Sequence, residues 1–130
     1  MCIFCKIVAN EIPSKKIYED DLVLGMLDIS QTTKGHSLVL PKKHYDNILE
    51  MPKEELDHMI NVVQDLSKQL INKLDAKGIN VLTNINEAAG QSVLHAHIHL
   101  IPRYNENDTI KIQYTQNEFD LDEIQKAINQ

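Results

Sequence analysis

Residues 95–101 constrain the fold more than any other stretch, because histidines alternate there with apolar residues in the order His-Ala-His-Ile-His-Leu-Ile. Alternate side chains of a β-strand share a face, so the pattern predicts a strand over 93–101. His95, His97 and His99 would line one face, with about 7 Å between successive Cα atoms, and the apolar side chains would face a core. Four explanations compete for the histidine face: a metal site, a catalytic surface, a pH sensor, or chance in a buried strand.

The rest of the chain has the pattern of a single α+β domain spanning residues 1–130. Short β-rich segments are separated by turn formers, and neighbouring segments of that kind usually pair into an antiparallel sheet. No internal repeat or low-complexity tract interrupts the chain. The further strands are predicted at 15–19, 23–28, 36–40 (stopped by Pro41) and 79–85.

One long amphipathic helix is predicted over 52–76, where it would cover one face of the sheet. Pro52 suits the first helical position, and Gly78 is the expected terminator. The apolar stripe expected to be buried consists of Leu56, Ile60, Val63, Leu70 and Leu74. A short final helix should begin after Asp120, whose carboxylate can cap it, within a polar tail.

Charge and hydropathy narrow the possible partners of the protein. The 13 Lys and Arg residues are outnumbered by 19 Asp and Glu residues, giving a net charge of −6. This balance argues against nucleic-acid binding, although a small phosphorylated ligand can still be held by backbone N–H groups. No secretory signal is recognised, and no stretch approaches the ~20 apolar residues of a membrane span. We therefore expect a cytoplasmic protein without membrane contact.

The chain has only two cysteines, Cys2 and Cys5, in a Cys-x-x-Cys arrangement. A disulfide closing so short a loop would stabilise little, and cytoplasmic thiols stay reduced. Metal binding or a redox pair therefore ranks above a disulfide.

Small polar residues directly precede the histidine strand. Gly90, Gln91 and Ser92 could cradle an anion with their backbone and side chains. A neutral imidazole beside a bound phosphate can attack phosphorus and form a covalent phospho- or nucleotidyl-histidine, which divides one difficult displacement into two easier ones. The neighbouring histidines would then orient the nucleophile and handle protons near neutral pH. A metal site of the His-x-His type remains the alternative.

The segment GQSVLHAHIHLIPR closely resembles the signature of the histidine-triad (HIT) family, His-φ-His-φ-His-φ-φ with φ apolar. FCKIVANEIPSKKIYEDD, LDIS, GHSLVLPKKH and LTNINEAAGQS resemble its Hint-like branch in order and spacing. The resemblance covers about residues 3–104 and leaves the tail, 105–130, outside. It implies a HIT-like fold: a five-stranded antiparallel sheet with a helix on one face, extended across a homodimer.

The resemblance also implies catalytic roles. His97 would be the nucleophile on the α-phosphate of a nucleotide, and His99 would contact phosphate and help the leaving group depart. His36 would complete the hydrogen-bonded chain behind them, and Ser92 would act on the leaving-group side.

Other matching residues would bind the substrate. Asp28 matches the family's ribose-binding acid, and the phosphate-contacting positions are matched by Asn84, Gln91, Ser92 and His99. The apolar entrance that holds the base is matched by Phe4, Ile7, Leu27 and Ile29.

Some members of the family, chiefly bacterial ones, hold zinc with an N-terminal Cys-x-x-Cys and two histidines. The resemblance implies that the matching ligands here are Cys2, Cys5, His44 and His95. Two thiolates and two imidazoles form a closed tetrahedral site, which is typical of structural rather than catalytic zinc. The ion would stiffen the strand that aims His97.

Taken together, the resemblance implies a nucleotide hydrolase or transferase that acts on an adenosine 5′-phosphoramidate through a nucleotidyl-histidine, without obligatory Mg²⁺. Three alternatives stay open. They are a dinucleoside polyphosphate hydrolase of the Ap4A type, a non-catalytic nucleotide-binding module, and a zinc-dependent hydrolase that activates water at the triad.

Overall fold

The structure, a computed structural model, describes residues 2–130 and builds them around one β-sheet. Its helices are α1 (Ile3–Val8), α2 (Lys53–Leu74) and α3 (Leu121–Ile128). The strands are β1 (Lys16–Glu19), β2 (Val23–Leu27), β3 (Ser37–Pro41), β4 (Gly78–Leu82) and β5 (Ile98–Arg103). Single 3₁₀ turns lie at Ile48–Glu50 and Glu87–Ala89.

The strands form one sheet in the order β1-β2-β3-β5-β4, and every neighbouring pair is antiparallel. This confirms the predicted α+β class and the five-stranded antiparallel sheet with a helix on one face. β5 lies between β3 and β4, so residues far apart in the chain become neighbours at its two edges.

Both faces of the sheet are covered, which explains why β2 and β3 are buried along their length instead of alternating. On one face Val39, Ile98 and Leu100 pack with the apolar stripe of α2. On the other, Phe4 and Ile7 of α1 pack against apolar side chains of β2 and β3. Helix α1 was not predicted, because six residues are too few to show a helical period.

Helix α2 matches the predicted range, but three details of the prediction are wrong. Pro52 is the N-cap, one residue before the helix. The helix ends at Asp75, which takes the left-handed conformation (φ 57°), whereas Gly78 opens β4. In the predicted buried stripe, Ile60 is instead 47% exposed, whereas the other four residues lie in or against the core: Leu56, Val63, Leu70 and Leu74. The buried residues of α2 are Met59, Val62, Val63, Leu66 and Leu70.

The histidine strand is shorter than predicted, because β5 begins at Ile98 rather than at residue 93. His95 and His97 lie in the segment that leads into it. The alternation nevertheless holds, since Ala96, Ile98 and Leu100 belong to the core on the α2 side. The histidines therefore point to the opposite face.

The C-terminal tail carries the predicted last helix. The Asp120 carboxylate accepts hydrogen bonds from the Asp122 and Glu123 N–H groups, as a capping residue does. The apolar side chains of α3 are exposed: Leu121, Ile124 and Ile128. Within residues 2–130, the helices lack the combination of length and apolar character that a bilayer crossing requires.

Replacing Gly35 with alanine should destabilise the protein by about 2–3 kcal/mol, because Gly35 has a positive φ (93°) and an added Cβ would overlap the Leu74 side chain. Gly78→Ala is the matched control, since nothing lies within 4 Å of its added Cβ. Urea unfolding of both variants tests this. Equal stability of Gly35→Ala and Gly78→Ala would contradict the packing assigned to Gly35.

Candidate active site and metal cluster

His97 is held with one ring nitrogen engaged and the other available. Its Nδ1 lies 2.7 Å from the His95 carbonyl oxygen, so Nδ1 carries the ring proton and donates a hydrogen bond to that oxygen. The Nε2 lone pair is therefore free. The ring is buried at 6% exposure and lines the main cleft. Phe4 packs edge-on against it, with ring centroids 5.1 Å apart, and restricts its rotation.

His36 and His99 form a hydrogen-bonded relay beside His97. The Thr32 N–H donates to His36 Nδ1, so His36 Nε2 carries the proton and donates to His99 Nδ1 at 3.0 Å. A neutral His99 then has its remaining proton on Nε2. The His97 and His99 rings lie 5.0 Å apart. His36 and His99 come together because Leu38 of β3 lies opposite His99, and His36 shares the face of Leu38.

The histidines lie in a cleft of about 970 Å³, a size that suits a small-molecule ligand. His36, His97, His99, Asp28 and Ser92 are five of its polar lining residues. The four apolar residues expected at the entrance also line it: Phe4, Ile7, Leu27 and Ile29. Ile29 is fully exposed, as expected for a residue at the rim.

The loop that carries Asp28 and His36 is fixed by side chains that the sequence analysis did not select. Gln31 donates to the backbone oxygens of Asp28 and His36 and accepts from the Gly35 N–H. Thr33 donates to the Pro102 carbonyl oxygen at 2.6 Å, which ties the loop to β5. The Gln31 contacts close the loop locally, whereas the Thr33 contact joins residues 69 apart in the chain, so the sequence around Thr33 gives no signal for it.

The loop before the histidines is built differently from the expected anion cradle. The Gly90 and Gln91 N–H groups donate to Glu87 and Asn86 within the loop, so they are not available to a ligand. The Gln91 amide is also engaged, accepting from the Asn86 N–H and donating to two backbone oxygens. Of the three residues predicted to form the cradle, only Ser92 lines the cleft.

Asn84 and Gln91, both predicted to bind phosphate, do not line the cleft. The Asn84 amide points to the Gly90 carbonyl oxygen at 3.5 Å. Gln91 connects its loop to the Asp46 backbone. In this arrangement both side chains shape the loop, and direct contact with a ligand would need them to reorient.

Cys2, Cys5, His44 and His95 converge on one point, with their ligand atoms within 4.8 Å of one another. Cys2 Sγ lies 3.3 Å from His95 Nδ1, and Cys5 Sγ lies 3.3 Å from His44 Nδ1. In a tetrahedral zinc site, sulfur and nitrogen ligands lie about 3.6 Å apart. The residue types and their convergence thus fit a zinc ion after small shifts of the side chains.

The outer nitrogens of both cluster histidines are already satisfied. His95 Nε2 donates to the Pro41 carbonyl oxygen at 2.8 Å, and His44 Nε2 donates to Asp46 at 3.0 Å. This leaves Nδ1 of each ring as the lone-pair donor that a metal requires. Burial lowers the pKa of His95, which keeps the ring neutral. The donor set suits structural zinc, which such residues would hold to stiffen the chain around His95.

The Cys–His cluster and the candidate nucleophile are directly connected. His95 supplies a cluster ligand through its ring and the hydrogen-bond acceptor for His97 through its backbone. Phe4, between the two cysteines, packs edge-on against the rings of both His95 and His97. Anything that fixes the cluster therefore also fixes the orientation of the His97 ring.

The pKa of His99 is lowered to about 4, chiefly because the ring is buried and secondly because the positive charges of His97 and His36 would oppose its protonation. Because the folded-state pKa lies below the unfolded value of about 6.5, the unfolded chain binds more protons between these pH values. Folding stability should thus fall as pH drops from about 6.5 to about 4. In His99→Gln this fall should be smaller, as measured by urea unfolding at several pH values. An identical pH dependence in both proteins would contradict the neutral, buried state of His99.

Comparison with protein-family models and curated proteins identifies relatives. A HIT domain model matches residues 9–106. "Protein hit" of Bacillus subtilis is 49% identical over 107 residues, covering 82% of this chain and 74% of the relative. "Adenosine 5′-monophosphoramidase HNT1" of Saccharomyces cerevisiae is 38% identical, covering 96% and 77%. "Adenylylsulfatase HINT3" of Arabidopsis thaliana is 41% identical, covering 78% and 52%.

Solved structures show the same fold. A HIT family member from Bacillus subtilis has a TM-score of 0.92 and 41% identity, covering 98% of this chain and 92% of that one. A histidine triad family protein from Mycobacterium smegmatis, described as Zn-bound, has a TM-score of 0.79 and 39% identity, covering 84% and 79%.

Proposed function

This chain belongs to the histidine-triad (HIT) family, and from that premise we propose that it hydrolyses nucleoside 5′-phosphoramidates, with adenosine as the nucleoside. The single observation that carries the proposal is the state of His97. Its Nδ1–H donates a hydrogen bond to the His95 carbonyl oxygen, which leaves the Nε2 lone pair free, and the ring lines a cleft of about 970 Å³. A relative named as an adenosine 5′-monophosphoramidase supports the choice of substrate.

The reaction proceeds in two displacements at the α-phosphorus. His97 Nε2 forms a bond to phosphorus while the P–N bond breaks, and the departing amine takes up one proton. Water then cleaves the Nε2–P bond, releases the nucleoside monophosphate and returns one proton. His97 Nδ1 keeps its hydrogen bond throughout, and that bond stabilises the positive charge on the ring.

The other residues of the cleft divide the remaining tasks. The neutral His99 ring directs its Nε2 proton at a phosphoryl oxygen, while His36 holds its other nitrogen at 3.0 Å. Asp28 lines the cleft, and its Oδ1 accepts a hydrogen bond from the Ser30 N–H. Its other carboxylate oxygen, Oδ2, accepts a hydrogen bond from a ribose hydroxyl. Ser92 acts on the leaving-group side. The chemistry uses imidazoles throughout, so Mg²⁺ is not obligatory.

Asn84 and Gln91 are assigned an indirect part. Asn84 bonds within the loop that precedes His95, and Gln91 also ties that loop to the Asp46 backbone, so both side chains position Ser92 and reach the phosphate only if the ligand draws them inward. We assign the four-residue Cys–His cluster to a structural zinc ion, which a Zn-bound relative supports. That ion would hold the segment around His95 and take no part in bond making.

The protein is assigned to the cytoplasm as a single domain, residues 1–130, that forms a homodimer. The exposed apolar side chains of α3 and the preceding tail support dimer formation, because a lone chain leaves them in water: Phe119, Leu121 and Ile128. β4 is an edge strand of the sheet with Val81 48% exposed, which offers a place for sheets to join.

A substrate panel tests the proposed activity. Adenosine 5′-phosphoramidates should be cleaved to AMP at least about tenfold faster, in kcat/KM, than diadenosine polyphosphates, measured by chromatography without added Mg²⁺. Faster cleavage of the polyphosphates would favour the Ap4A-type alternative. Binding of AMP without turnover of any substrate would favour a non-catalytic module.

A further inference from the structure

We propose that Asp28, His36 and His99 form a second metal site, which binds a divalent transition-metal ion inside the cleft and inhibits turnover. The inhibition rests on the proposed function, whereas the binding of the ion does not. The site shares no ligand with the cysteine cluster.

The ligand atoms of the three residues already face one another. His36 Nε2 lies 3.0 Å from His99 Nδ1 and 3.6 Å from Asp28 Oδ2, and the three ligand atoms lie within 4.8 Å of one another. Neighbouring ligands about 2.1 Å from a metal are about 3.0 Å apart in an octahedral site and about 3.4 Å apart in a tetrahedral site. Small shifts of the side chains are therefore sufficient to hold an ion.

The type of ligand selects the type of ion. Two imidazoles and one carboxylate suit zinc, cobalt, nickel and iron, and they do not suit magnesium or calcium, which prefer oxygen. Asp28 uses Oδ1 to accept from the Ser30 N–H at 2.8 Å, so Oδ2 is the oxygen free to bind. The side chains of Asp28 and His36 are 19% and 6% exposed, which keeps the bound ion partly shielded from water.

An ion at this position replaces the proton of the hydrogen bond between His36 Nε2 and His99 Nδ1. The His36 proton moves from Nε2 to Nδ1, and the 3.4 Å hydrogen bond from the Thr32 N–H is lost. His99 is then held by metal instead of by His36, so the relay that serves the phosphate no longer operates. Because of this cost and the absence of thiolates from the ligand set, the site should bind more weakly than the cysteine cluster.

Cobalt(II) titration of the full chain, first loaded with one equivalent of zinc, tests the proposal. One equivalent of Co²⁺ should bind and give weak visible absorption without the near-ultraviolet band of thiolate–cobalt charge transfer. Asp28→Asn and His36→Ala should each weaken this binding at least about tenfold. His58→Ala is the matched control, because His58 also pairs with a carboxylate, Asp20, but lies outside the cluster.

Several results would overturn the proposal: no cobalt binding, binding that survives both Asp28→Asn and His36→Ala, or a thiolate band that accounts for all of the bound cobalt. In the activity arm, Co²⁺ should reduce wild-type turnover over the same concentrations that fill the site. Undiminished turnover at full occupancy would overturn the inhibitory role. A wild-type protein that binds Co²⁺ in this manner but cleaves no phosphoramidate would refute the proposed function and leave the metal site standing.

Discussion

His97→Ala should lower kcat for phosphoramidate hydrolysis by at least about 10³-fold, because it removes the atom that we propose bonds to phosphorus. The cleft would remain, since Phe4 and the relay of His36 and His99 are untouched, so substrate binding should change far less than kcat. Steady-state kinetics on the preferred substrate from the panel measure both. His58→Ala, on the exposed side of α2, should keep wild-type turnover.

The covalent intermediate gives an independent test of the same residue. Rapid denaturation of wild-type protein during turnover should reveal a fraction of chains heavier by one nucleotidyl group, attached to His97. His97→Ala should show none. Activity that persists in His97→Asn but disappears on chelation would replace this mechanism with a zinc-activated water. Turnover in His97→Ala equal to wild type would refute the nucleophile altogether.

Replacing the proposed zinc ligands Cys2 and Cys5 with serine in one double variant should lower the melting temperature by more than about 10 °C. An ion that binds only the folded chain stabilises it by about 4 kcal/mol when present at about 1,000 times its dissociation constant. In a domain of this size each kcal/mol moves the melting temperature by roughly 3–4 °C. Calorimetry of the zinc-loaded protein, with metal content measured, tests the expectation.

A chelator separates the metal's contribution from the loss of the cysteines themselves. It should lower the melting temperature of the wild type to near that of the double variant, and it should leave the double variant unchanged. Turnover should also fall in both cases, because the His95 backbone oxygen orients His97. A wild-type melting temperature unaffected by the chelator, in protein shown to contain zinc, would contradict a structural role for the cluster.

Local pattern was sufficient for much of the fold. The alternation at residues 95–101 correctly separated a core face from a histidine face, although the regular strand begins only at Ile98. The neighbours of Asp120 in the sequence were enough to predict it as a helix cap, and the helical spacing of apolar residues was enough to predict the range of α2. In each case the deciding interactions lie within a few residues, so the sequence expresses them directly.

Longer-range packing decided what the pattern missed. Ile60 was assigned to the buried stripe, but the position of the sheet beneath α2 selects Met59 and Val62 instead. Gln91 was predicted to bind the ligand, yet its side-chain amide donates a hydrogen bond to the backbone oxygen of Asp46, 45 residues away in the chain. Hydrogen-bond partners of this kind are set by tertiary contacts and leave no trace in the neighbouring residues.

The sequence by itself supplied the candidates for the proposed chemistry: the triad histidines, Asp28 and the cysteine pair, because residue type alone limits what can attack phosphorus or bind zinc. Only the tertiary structure decided their working arrangement. The antiparallel register of β3 and β5 places His36 against His99, 63 residues away, and packing of α1 brings the cysteines to His95. The physical reason is that ring tautomers and metal geometry depend on atoms a few ångströms apart in space, and chain folding alone sets those distances.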